Sequence, residues 1–144
     1  MLFRSVNIDP FYGNSKNRII LRYAEVLLMK AEALIELNRY NEALPLINAL
    51  RERAANSTSM LIDIQRQPVS NYKVGLYASF ASKAEATKAL RFERRLELAM
   101  EGARFFDLVR WGVADQVLNQ YFQKEKDLRD YYSVARFTKN RDEY

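Results

Sequence analysis

The sequence predicts an all-α domain: a helical hairpin plus two further helices, with a long irregular loop and an irregular tail. Three observations predict it. Apolar residues recur at helical intervals of three and four rather than alternating. Only 4 glycines and 3 prolines punctuate 144 residues, too few for many short strands joined by tight turns. Hydrophobic residues make up 49% and charged ones 28%, the balance of one globular domain that buries a core.

Residues 1–17 carry the turn signals Asp9-Pro10 and Gly13-Asn14 and show no helical period. From Arg18 the pattern changes. Ala24, Leu27, Ala31 and Leu34 form a stripe that Leu28 and Ile35 widen, as on a core-facing amphipathic helix. Asn38-Arg39 ends it. Asn41 serves as N-cap of a second helix whose apolar stripe is Ala43, Leu44, Ile47, Leu50 and Ala54. Pro45 then falls in the first turn, where few intrahelical donors are lost. So short a connection makes the two helices antiparallel neighbours.

The turn Asn38-Arg39-Tyr40-Asn41-Glu42-Ala43-Leu44 resembles the inter-helix turn of a tetratricopeptide repeat, with Ala31 and Ala43 at the small-residue positions. A lone unit of this kind cannot bury its concave face, so another segment must cover it.

Residues 56–81 form the longest irregular stretch. Asn56, Ser57, Thr58 and Ser59 stop the second helix, Pro68 and Gly75 punctuate, and Met60 to Ile64 suits a short strand or a helical turn. Tyr72, Tyr77 and Phe80 lie among polar residues here. No helical stripe explains them, which makes them the candidate ligand contacts; the alternative is packing against the uncovered hairpin.

Ser82-Lys83-Ala84-Glu85 is a capping box that opens a third helix running to about Glu101, with Gly102 at its end. Phe105 to Trp111 is a short helical segment assigned to core packing. Ala114 to about Tyr131 is a fourth helix with Val117, Leu118, Tyr121, Phe122 and Leu128 as its apolar positions. The tail from Ser133 is irregular.

The chain contains neither cysteine nor histidine. Thiol nucleophiles, disulfides, imidazole bases and thiolate metal sites are therefore excluded, and no metal or cofactor motif is present. The net charge of +5 permits an anionic partner, but acidic and basic residues are interleaved, which argues against a phosphate-tracking stripe and so against nucleic acid. No segment reaches the roughly twenty apolar residues of a membrane span.

Glu93, Arg94, Glu97 and Glu101 share helical spacing on the third helix. Glycosidase chemistry needs two carboxyls facing across a cleft about 5 to 9 Å apart. Carboxylates beside guanidinium groups on one helix stay ionised and make poor acids. The expected role is a structural ion-pair network reaching neighbouring elements through Arg104, Asp107 and Arg110, with no catalysis.

Three stretches carry a family resemblance. Arg22-Tyr23-Ala24-Glu25-Val26-Leu27-Leu28-Met29-Lys30-Ala31-Glu32-Ala33-Leu34, then Leu50-Arg51-Glu52-Arg53-Ala54, resemble the repeat-like helices of the SusD/RagB family. Glu93-Arg94-Arg95-Leu96-Glu97-Leu98, Arg104-Phe105-Phe106-Asp107-Leu108 and Arg110-Trp111-Gly112 are similar to that family's best-known stretch. Ala103 departs from it, where related sequences often carry histidine. The resemblance implies that residues 1–144 are the carboxy-terminal helical domain of a longer glycan-binding lipoprotein at the outer-membrane surface, held there by a lipid anchor in a missing amino-terminal part. It implies as partners an oligosaccharide and a SusC-like TonB-dependent transporter, which this region would scaffold and contact. Two other classes stay open: a stand-alone tetratricopeptide-like adaptor, and a carboxylate-based hydrolase.

Overall fold

The 3–4 spacing of Ala24, Leu28, Ala31 and Ile35 puts them on one side of a helix, and that side is buried. A computed structural model describes residues 19–57, 60–67, 69, 73–129, 132 and 134–138. The expected turns of residues 1–17, the loop residue Tyr72 and the helix end at Tyr131 lie outside the described residues. Five helices and no strand element occur among those described.

Helix α1 spans Tyr23–Glu36. It ends in a left-handed turn: Asn38 has φ +61°, its amide donates to the Ile35 carbonyl (3.0 Å), and the Arg39 amide donates to Leu34 (2.8 Å). Asparagine tolerates that conformation better than most residues, which is why the hairpin turns there.

Helix α2 spans Tyr40–Ser57. Asn41 lies inside it rather than capping it, because the Arg39 carbonyl already accepts from the Glu42 amide (3.0 Å). Pro45 consequently sits in the second turn. In the loop that follows, the stretch expected as a strand or helical turn is a tight bend around Asp63. Its carboxylate accepts from the Gln67 amide (2.7 Å), and the Asp63 amide donates to the Gln67 carbonyl (2.9 Å).

Helix α3 spans Lys83–Glu97. The Glu85 amide donates to Ser82 Oγ (3.2 Å), while the Glu85 carboxylate reaches one residue further back than a standard capping box, to the Ala81 amide (2.7 Å). The helix stops short of Glu101 for a definable reason. The Glu97 carbonyl accepts from the Arg22 side chain, and the backbone turns through left-handed Met100 (φ +65°) and Gly102 (φ +82°).

Helix α4 spans Ala103–Arg110 and α5 spans Ala114–Glu125. Between them Gly112 adopts φ +68°, its amide bonding Val109 (2.9 Å) and the Val113 amide bonding Leu108 (3.0 Å).

The core lies where α1, α2 and α3 meet. Leu28, Ile35, Ile47 and Leu90 are its fully enclosed large side chains. Each stabilises the fold by about 1.5–3 kcal/mol relative to exposure. Ala24, Ala31, Ala43, Ala86 and Ala89 keep the helices close. Helix α4 packs chiefly on α5. The core assignment for the aromatic run holds for Leu108 but not for Phe106 and Val109, which are exposed, nor for Phe105, which stays half exposed although the Phe137 ring packs edge-on against it at 6.1 Å. Leu128, expected on the apolar stripe of α5, is likewise exposed beyond the helix end.

Candidate functional site

Chemistry-bearing side chains concentrate on α3, which meets α1 and α2 and runs into α4. Glu93 is nearly enclosed. It pairs with Arg51 of α2 and accepts from the Tyr77 hydroxyl at 3.3 Å. The Arg51 guanidinium also lies 4.6 Å over the Tyr77 ring and donates to the Gly75 carbonyl. Asn48 straps the same segment to α2, its amide nitrogen donating to the Tyr77 carbonyl (2.8 Å) and its oxygen accepting from the Tyr77 amide (2.9 Å). Burial, and then the Glu93 charge, push the Tyr77 hydroxyl above its usual pKa.

Of the three candidate ligand contacts, Phe80 is 4% exposed and belongs to the core. Its ring packs 5.5 Å from that of Tyr77. Tyr77 is half-buried and occupied as described. Tyr72 lies outside the described residues. The structure thus brings Tyr77 and Phe80 together, and it uses both within the chain.

Glu97, the last residue of α3, and Glu101, in the turn beyond it, both pair with Arg22, which stands just ahead of α1. Arg22 reaches Glu101 through Nε (2.9 Å) and Nη2 (2.7 Å), and Arg53 of α2 adds a second cation to Glu97. Burial acts to raise the Glu97 pKa, but the hydrogen bonds from Arg22 and Arg53 outweigh it and hold the carboxyl below its ordinary range. The two glutamates raise the already high pKa of Arg22.

A third cluster joins α4 to α1. Asp107, buried, accepts from Arg94 Nε (2.8 Å) and Arg110 Nε (3.0 Å). Arg110 forks onto Glu32, and Trp111 Nε1 donates to the same carboxylate at 2.8 Å. Burial again works to raise the Glu32 pKa, and the bonds from Arg110 and Trp111 more than reverse it. Among the described residues no cluster of three or more acidic side chains is placed to hold a metal ion, and no helix is long and apolar enough to cross a membrane.

Each of these carboxylates meets a guanidinium group, and Glu32 and Glu97 are held below the ordinary carboxylate range by theirs, so neither of the two is poised to donate a proton. What the arrangement can do chemically is lock α1, α2, α3 and α4 to one another.

Residues 4–143 match the SusD family. The chain belongs to the SusD family. It is similar to the SusD-like proteins P38 and P25 of Formosa agariphila, at 35% identity over 116 residues and 30% over 131. Those matches cover 81% and 88% of this chain but only 21% and 22% of the relatives. The chain spans about a fifth of the length of the curated relatives it matches.

In this SusD-family chain the charged stretch draws its partners from other elements rather than from its own helix. Glu97 and Arg94, three residues apart, do not pair with each other. Arg22, Glu25, Glu32, Arg51 and Arg53 are the ion-pair partners that sequence reasoning did not name, although all five stand in the stretches that carry the family resemblance. Arg104, expected within the network, makes no ion pair or hydrogen bond among the described residues. It lines a groove instead, together with Arg91 and Arg95.

Proposed function

We propose that this SusD-family chain is the carboxy-terminal helical domain of a longer, cell-surface glycan-binding subunit of a TonB-dependent outer-membrane uptake system. Within it the domain acts as scaffold and as a contact region for a SusC-like transporter, and it catalyses nothing. The family match over residues 4–143 carries this reading. The scaffold role draws support from the arginine–carboxylate seams that lock α1 through α4. The contact role draws support from Tyr23, Val26 and Met29, an exposed apolar strip on α1, and from exposed Phe106 on α4. A lipid anchor outside this chain holds the subunit on the outer membrane. Among the described loop aromatics Tyr77 is partly exposed and could offer a ring edge to a glycan, while Phe80 is enclosed.

A stand-alone tetratricopeptide-like adaptor would need stacked hairpins. The described residues hold one such hairpin, α1–α2, with α3 packed on it.

The test is affinity isolation of the native protein from detergent-solubilised outer membranes. Co-isolation with a TonB-dependent transporter supports the proposal. Recovery free of any transporter contradicts it.

A further inference from the structure

Where α3, α4 and the start of α5 meet, a groove of about 220 Å3 is lined by Arg91, Phe92, Arg95, Arg104, Trp111 and Val117, among others. It holds three guanidinium groups, and among the described residues no carboxylate lines it. That contrasts with the neighbouring seams, where Arg22, Arg51, Arg53, Arg94 and Arg110 each meet a carboxylate. Arg91, Arg95 and Arg104 form no ion pair among the described residues.

Two further observations point the same way. The Arg91 Nε is shut off from water and has no hydrogen-bond acceptor, although its guanidinium lies 4.7 Å over the Trp111 ring. Buried donors without a partner are rare in folded proteins and call for an explanation. In addition, burial and then the Arg95 charge depress the Arg104 pKa, with Arg91 adding to the effect against the pull of Asp107. Three cations converge in a concavity that no ion pair among the described residues neutralises.

We propose that this groove is an oxyanion site that takes the carboxylate or sulfate group of an acidic saccharide. Guanidinium forks match the paired oxygens of both groups, and partial desolvation strengthens such bonds. Phe92, half exposed at the rim, offers an apolar face to the sugar ring beside the anion. The saccharide part of the proposal rests on the glycan-capture reading; the anion part rests on the groove alone.

The chain's one tryptophan, Trp111, lines the groove and reports on it. The 144-residue chain is titrated with a carboxylated oligosaccharide (oligogalacturonate), a sulfated oligosaccharide, a neutral oligosaccharide of equal length, and sodium sulfate, while Trp111 emission is followed. The proposal expects a saturable change with a charged oligosaccharide, weaker binding of free sulfate, and no change with the neutral sugar. Arg104→Gln and Arg95→Gln each weaken the charged ligand about tenfold, the loss of one charge-assisted bond. Lys88→Gln, exposed and outside the groove, leaves it unchanged. Thermal melts by circular dichroism confirm that the variants fold; exposed Arg95 provides the test should Arg104→Gln not.

Several results overturn the proposal: silence towards every anion, an undiminished response in both folded arginine variants, a neutral sugar acting as well as a charged one, or free sulfate binding as tightly as the charged saccharides. Failure of the glycan-capture reading shows separately, as native protein isolated without a transporter, whatever the groove does.

Discussion

The Arg94 guanidinium donates to Asp107 Oδ2 over 2.8 Å, with both side chains almost entirely shut off from water. This pair ties the end of α3 to the middle of α4 across the turn through Met100 and Gly102. Removing one partner strands a buried charge, which costs far more than an exposed pair is worth.

Asp107→Ala should therefore destabilise the chain by about 3–5 kcal/mol. The double replacement Arg94→Met with Asp107→Leu removes both charges and should lie much closer to the native stability. Urea unfolding of the two variants checks this. Equal losses in both would mean that the pair contributes packing rather than charge compensation.

The core supplies a second contrast. Leu28 is fully enclosed between α1 and its neighbours, whereas Met29 beside it is half exposed. Leu28→Ala should cost about 2–5 kcal/mol, and Met29→Ala less than about 1 kcal/mol. Thermal unfolding of both measures the difference.

Acid should weaken the fold through Glu32 and Glu97. Both carboxyls are held below their ordinary value of 4.5 in the folded chain. The unfolded chain therefore binds more protons in that region, so stability rises with pH there. Their contribution is complete above about pH 4.5 and is lost as pH falls through the depressed folded values. Glu97→Gln should lower Tm at pH 7 and flatten its decline in acid. An unchanged acid decline in both Glu97→Gln and Glu32→Gln would contradict the assignment.

Asn48 holds the extended segment at Tyr77 by two backbone hydrogen bonds, and Asn119 holds Phe137 in the same way, at 2.8 and 2.9 Å. Asn48→Ala leaves a half-buried amide and carbonyl unpaired and should cost about 1–3 kcal/mol. Tyr77→Phe removes only the 3.3 Å bond to Glu93 and should cost about 1 kcal/mol or less. Limited proteolysis should find residues 73–80 cut faster in Asn48→Ala than in Tyr77→Phe.

Gly112 turns the chain from α4 into α5 at φ +68° with open space around its α-carbon. Gly112→Ala should cost about 1 kcal/mol from backbone strain alone, without a steric clash. A chemical-denaturation midpoint moving by that amount, with an unchanged slope, is the expected outcome.

The helices were legible because periodicity is a local signal: Ala24, Leu28 and Ala31 need only their own helix to be recognised. Where Arg22 intervenes the local signal fails. It captures the Glu97 carbonyl from a position 75 residues away and ends α3 about a turn early. The polar surroundings of Tyr77 and Phe80 left ligand contact and packing on the uncovered α1–α2 hairpin as alternatives, and only the fold shows that Phe80 takes the second. The carboxylates of α3 were recognisable as ion-pair formers, but their partners lie on α2 and just ahead of α1, beyond the reach of helical spacing. The arginine groove had no counterpart in the sequence reading, because only the fold brings Arg104 beside Arg91 and Arg95. Phe105, Phe106 and Val109 look like core residues by composition and are exposed.

The most direct test of the central claim, a surface glycan-capture subunit, is to blot cell-envelope fractions with an antibody to this chain, before and after protease is added to intact cells. The account predicts a lipidated band several times heavier than this chain, in the outer-membrane fraction and destroyed by external protease. A soluble band at the size of this chain, protected until the cells are broken, would contradict it.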